Sequence, residues 1–224
     1  RKMASMNPSV LHALRVLLSP TSEEQMRAAT QLLIAERSRP GAWKTLRYIV
    51  TLQMPEHDVL AQDSSLREAA TWFALSSYEA ALCLHWPMQA EDSAMLKEDL
   101  YGLAMEQLHD GRRRPKNTYR KCEQLVARIG RLEWPHGDST FIQNVLSLLA
   151  DSERRPLGGR LLRAVAEEFD PSAPLTFSDS KESTATALIP LWPAVWSAIS
   201  EALGAEIASP ASAADEVHPT AGDS

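Results

Sequence analysis

From Val10 to Phe169, apolar residues recur every three or four positions, in runs that prolines, glycines and polar stretches cut off from one another. That spacing lines one face of an α-helix and gives no support to the alternation a half-buried strand requires. The richest run, WFALSSYEAALCLHW at 72–86, is interrupted by Glu79 and falls short of the roughly 20 apolar residues needed to cross a bilayer. The expected fold class is all-α, assembled from many short amphipathic helices.

The first stripe is Val10, Leu11, Leu14, Leu17 and Leu18, and Pro20 ends it. Thr21 or Ser22 caps the next helix, which carries Glu23 and Glu24 where the helix dipole favours acid, then Met26, Ala29, Leu32 and Leu33, ending near Arg37. Pro40-Gly41 breaks the chain before Trp43, Leu46, Ile49 and Val50. RYIVT in this stretch has high β-propensity, but the spacing from Trp43 fits a helix better than any alternation. A loop is expected around Pro55 to Asp63, then helices over 65–86 and 93–109 and a basic turn, GRRRPK, at 111–116. Tyr119, Cys122, Val126 and Ile129 mark the next stripe. Phe141, Val145, Leu148 and Leu149 follow, then Leu157, Leu161, Leu162, Val165 and Phe169. DPSAPLTFSDSKES (170–183) reads as a polar loop, 194–204 as a last helix, and 206–224 as a disordered acidic tail of Ala, Ser and Pro.

Trp-Pro occurs at Trp86-Pro87, Trp134-Pro135 and Trp192-Pro193, each time at a seam between stripes. Proline disfavours helical geometry in the residue before it and is at home in a helix's first turn. Trp-Pro is thus expected to end one helix and launch the next, with the indole filling the groove between them. Each interval holds two helices, and pairs recurring at about 40–47 residues are the mark of HEAT-type repeats. The expected architecture is an α-α superhelix, a HEAT- or armadillo-like solenoid, over residues 1–205; a single closed bundle is the alternative.

The second half also carries a family likeness. ARIGRLEWPHGDSTFIQNVLSLLADSERRPLGGRLLRAVAEEF (127–169) resembles the exportin-type segment of the importin-β (karyopherin) superfamily: an apolar helix ending at Trp134-Pro135, a helix with Phe141 and Leu148-Leu149, then Leu161-Leu162 and a closing Glu167-Glu168. PGAWKTLRYIV (40–50), with Trp43 after a helix break, is similar to the family's second repeat. The chain departs from many relatives at His136-Gly137-Asp138, where a second aromatic is usual. The resemblance implies the amino-terminal repeats of a longer arch, without chemistry of its own. It implies binding of a Ran-type small GTPase in its GTP form, protein cargo such as actin–profilin, and nuclear pore FG-repeat proteins, with shuttling between nucleus and cytoplasm. Arg27, Trp72, Tyr78 and Glu79 are candidate contacts because the family uses its inner helices near the amino terminus; Trp72 and Tyr78 also suit plain helix packing. A HEAT scaffold with no GTPase partner and an import receptor of the same superfamily are the alternatives.

Charge offers a separate signal. The net charge of −6 falls to −2 once the last twenty residues, with four acids and no Lys or Arg, are set aside. That excludes the broad basic field of a nucleic-acid binder. Residues 91–110 hold six acids against Lys97, and 112–131 hold eight bases against Glu123. On paired antiparallel helices this gives one acidic and one basic face, or two faces that pair with their neighbours. On the first reading, Arg112, Arg113, Arg114, Lys116 and Arg120 form a docking surface for the GTPase or cargo.

No catalytic residue, metal or cofactor is expected. The six histidines fall in no zinc-binding spacing, RPLGGR lacks the Lys and Ser/Thr of a phosphate loop, and no nucleophile context stands out. Glu167-Glu168 point about 100° apart on a helix and suit an ion pair with Arg160 or Arg163. Cys83 and Cys122 form no disulfide framework and suit a reducing compartment. The start shows no signal peptide, and Arg1-Lys2-Met3 reads as the opening of a fragment.

Overall fold

A computed structural model describes residues 6–20, 22–51, 53, 58–109, 114–134, 140–169 and 189–208. Among them every regular element is helical. The helices are α1 Pro8–Leu18, α2 Glu23–Arg37, α3 Ala42–Val50, α4 Val59–Gln62, α5 Ser64–Leu84, α6 Ala90–His109, α7 Lys116–Glu133, α8 Phe141–Ala150 and α9 Arg155–Glu168. A 3-10 turn, Ile189–Leu191, then leads into α10, Trp192–Ala208.

Local chemistry sets most of the boundaries. Asn7 and Ser22 accept the backbone N–H groups of Ser9 and Gln25, satisfying donors that the first turns of α1 and α2 leave open. Gly41 sits at φ 72°, a left-handed conformation glycine adopts without cost, and turns the chain into α3. Asp63 caps α5 by accepting from Leu66. The loop expected at Pro55–Asp63 contains a helical turn, α4: Asp58 Oδ1 accepts from Leu60 N, and the Leu60 side chain is buried.

Helices pack in chain order: α1 with α2, α3 with α5, α6 with α7, α8 with α9. The second member of each pair also meets the next second member, so α2, α5, α7 and α9 form a continuous row. Across the first members, α3 touches α6, and α10 lies against α8. The buried residues form one cluster running from Met6 to Val195. Close approach is built in at two glycines. A Cβ on Gly130 of α7 would fall inside the Phe141 ring, and one on Gly158 of α9 would lie 3.0 Å from Leu148 and the Leu149 backbone nitrogen.

The three Trp-Pro seams do not share one role. Trp134, the residue that ends α7, is buried and meets Phe169, the residue that ends α9, edge-on at 6.0 Å, as expected of an inter-helix corner. Trp86 is half-buried between α5 and α6, and its bond to Pro87 is cis. Trp192 is exposed and opens α10, so that helix begins two residues earlier than expected, with Pro193 in its first turn. Pro135, the polar loop at 170–183, and residues 209–224 of the expected tail lie outside the described residues.

Candidate functional site

The acidic α6 and basic α7 are tied to their neighbours. On α6, Asp92 meets Lys44 and Asp99 meets Arg47, both from α3, at 2.5 and 2.6 Å. On α7, Lys121 and Arg128 hold Glu79 of α5 at 2.7 and 3.0 Å, while Arg128 also takes Glu168 of α9 at 3.0 Å. Arg131 reaches Glu168 and its carbonyl, and Arg120 reaches Glu167 at 3.8 Å. Two pairs run with the opposite sign: Glu123 of α7 holds Arg160 of α9, and Glu133 of α7 holds Lys97 of α6. Most of the two charge runs therefore stitch adjacent helices together. Of the expected Glu167 partners, Arg163 lies at 3.7 Å, whereas Arg160 turns to Glu123.

This stitching decides several candidates. Tyr78 is completely buried, donates to Asp99 Oδ2 at 2.6 Å and meets the Trp43 ring edge-on at 5.3 Å. It is a packing residue and presents nothing to a partner. Glu79 is taken by Lys121 and Arg128; burial raises its pKa, but those two cations outweigh burial and hold the carboxyl below its ordinary value.

Arg114 is buried as well. It donates to the Val50 carbonyl at 2.6 Å and lies within 3.4 Å of the Ile49 carbonyl and Glu106. Burial pulls its pKa down, only partly offset by Glu106. It closes the open carbonyls at the end of α3 and is not part of a docking surface. Arg112 and Arg113 lie outside the described residues. Arg27, Lys116 and Arg120 are exposed, Arg27 with an i,i+4 pair to Glu23. Phe141 and Leu161 are core residues, and Leu162 is half-buried against them.

Trp72 is the candidate that stands at an open site. It is 46% exposed and lines a groove of about 670 Å³ between α1, α2 and α5. Leu14, Leu17, Leu18, Leu33, Ile34 and Phe73 are the large apolar side chains beside it. Arg37 and Glu68 stand in its wall with no ion pair among the described residues, and Asn117 and Thr118 close it at the start of α7. Sequence reasoning missed Ile34, Arg37 and Glu68. The available signal was the pair of apolar doublets, Leu17-Leu18 and Leu33-Ile34, which make each stripe wider than one neighbouring helix can cover.

No known family model and no curated protein matches the chain. The groove's own chemistry is left to speak for it. Its lining offers dispersion, one indole and two unpaired charges of opposite sign, suited to gripping a protein surface. Among the described residues no cluster of His, Cys, Asp and Glu could hold a metal ion. Burial pushes the Cys122 thiol well up, and its Sγ donates to the Leu100 carbonyl. Among the described residues no helix is long and apolar enough to cross a membrane.

Proposed function

We propose that the chain is a nuclear transport receptor of the exportin type, whose helix pairs stack as a HEAT-like superhelix. In this reading α2, α5, α7 and α9 form its inner row. The GTP form of a Ran-type GTPase docks on the amino-terminal part of that row, and protein cargo, with actin–profilin the candidate the resemblance implies, binds in the same complex. FG-repeat proteins of the nuclear pore are the transit partners, and the receptor shuttles between nucleus and cytoplasm.

The observation that carries this reading is the exposed Trp72 in an apolar groove bordered by three cations from two helices, α2 and α7. Arg37 lines the groove, Arg27 lies one turn before Thr30 of the same lining, and Lys116 immediately precedes Asn117. A central aromatic with charged surroundings is the usual anatomy of a protein-binding hot spot. Joint binding of GTPase and cargo requires a coupling free energy between the two sites, reciprocal by linkage and typically about 1–3 kcal/mol.

The test is co-elution of the chain with Ran loaded with a non-hydrolysable GTP analogue or with GDP, alone and with actin–profilin. Binding only to the GTP form, lost in Trp72→Ala and strengthened by cargo, is the expected result. Binding indifferent to nucleotide favours a plain helical-repeat scaffold. Cargo release on adding the GTP form marks an import receptor.

A further inference from the structure

Among the described residues two apolar surfaces stand without a partner, and they match. The first is the Trp72 groove. The second is a stripe along α10, where Trp192, Trp196 and Leu203 are 64%, 63% and 59% exposed. At 100° per residue these three fall within about 40° of one another, a narrow stripe on one side of the helix. The stripe borders the side that packs on α8, where Val195, about 60° from Trp192, is buried and Ile199, about 20° from it, partly so. Ile189, in the turn before α10, is also exposed.

We propose that α10 of one copy docks in the groove between α1, α2 and α5 of a second copy, joining chains head to tail. Length agrees: the groove runs along α5 from Ser65 to Ser76, and the stripe along α10 from Trp192 to Leu203, each about 17 Å at 1.5 Å per residue. Chemistry agrees, because neither the stripe nor the groove floor carries a charge, and the charged Glu201 lies on the far side of α10, where Ser197 donates to it.

Area agrees as well. Taking roughly 250 Å² for a whole indole, the exposed parts of Trp72, Trp192 and Trp196 alone contribute about 430 Å². Leu17, Leu18, Ile34, Ile189 and Leu203 are exposed beside them and carry the total toward the ~1,000 Å² at which specific association begins. A second copy and any other partner would compete for Trp72, but the inference rests on the two surfaces alone and not on the GTPase reading.

The groove and the stripe are different patches, so the contact is heterologous and repeats along a chain of copies. Sedimentation of the full chain from ~5 to ~200 µM, the range for a contact of this size, should show the average mass at least doubling. Trp72→Glu and Trp196→Glu should each remain monomeric, with melting curves like the parent's. An equal mixture of the two should form a species of two chains and nothing larger, because each supplies the half the other lacks. Ile34→Glu serves as a second groove variant should Trp72→Glu fail to fold. A parent chain monomeric throughout, a groove variant that assembles like the parent, or a mixture that stays monomeric overturns the proposal. The last two outcomes would leave α10 pairing with itself or covered by another segment.

Discussion

Tyr78 Oη lies 2.6 Å from Asp99 Oδ2, and Arg47 grips the same carboxylate with Nε and Nη2, also at 2.6 Å each. One buried acid thereby ties α3, α5 and α6 together. Asp99→Ala leaves both partners unsatisfied and should cost about 3–5 kcal/mol. Tyr78→Phe removes one bond to a charge and should cost about 1.5–3 kcal/mol. Urea unfolding of both single variants and the double checks the order and should show coupling between them, since they share one acceptor.

The same packing sets the limits of stability in pH. Burial, then the Asp58 charge, pushes the Tyr48 phenol up to about 12; burial and the bond to Asp99 push Tyr78 higher still. A raised phenol stabilises fully below its unfolded value near 10, and that stability is lost as pH climbs toward the folded value. Glu79 has the opposite sign: its lowered pKa stabilises above its ordinary value of 4.5 and is lost as acid protonates it. Unfolding midpoints measured from pH 3 to 12 should fall at both ends. Glu79→Gln should flatten the acid side, and Tyr48→Phe the alkaline side.

Gly130 sets how closely α7 and α8 approach. On helix propensity alone, Gly130→Ala would gain about 1 kcal/mol. The new methyl would enter the Phe141 ring, and overpacking costs about 1–3 kcal/mol or more. The variant should melt lower than the parent, and Phe141→Leu in the same chain should recover part of the loss. A Gly130→Ala chain that melts higher would show that Phe141 moves aside freely.

The helices were readable because their apolar period is written locally. The order of Val10, Leu14 and Leu17, or of Leu157, Leu161 and Val165, needs no knowledge of neighbours. α4 escaped because a single turn has no period to show. The fate of the charges escaped for a different reason: Asp99 finds Arg47 52 residues away, and Arg128 finds Glu79 and Glu168 at 49 and 40. Residues 91–110 and 112–131 looked like two solvent faces because composition does not say which helix comes to lie beside them. Trp72 and Tyr78, six residues apart on one helix, looked alike in sequence. They separate because α3 and α6 bury Tyr78, whereas Trp72 stays half-exposed in the groove.

The distinction matters most for the arginine and lysine candidates. Arg114 donates to the last two carbonyls of α3, which have no partner within their own helix. Arg114→Ala should therefore lower stability by about 1.5–3 kcal/mol, and any binding it loses will come with that loss of fold. Lys116 and Arg120 are exposed on α7, and the Arg120–Glu167 pair is a surface contact. Reversing both to Glu should move stability by no more than about 0.5–1 kcal/mol. If these two border the docking surface, the double reversal should weaken capture of the GTP-loaded GTPase at low salt and flatten its salt dependence, while the melting curve stays put. Unchanged capture with unchanged melting would remove both residues from the interface and leave Trp72 as its remaining anchor.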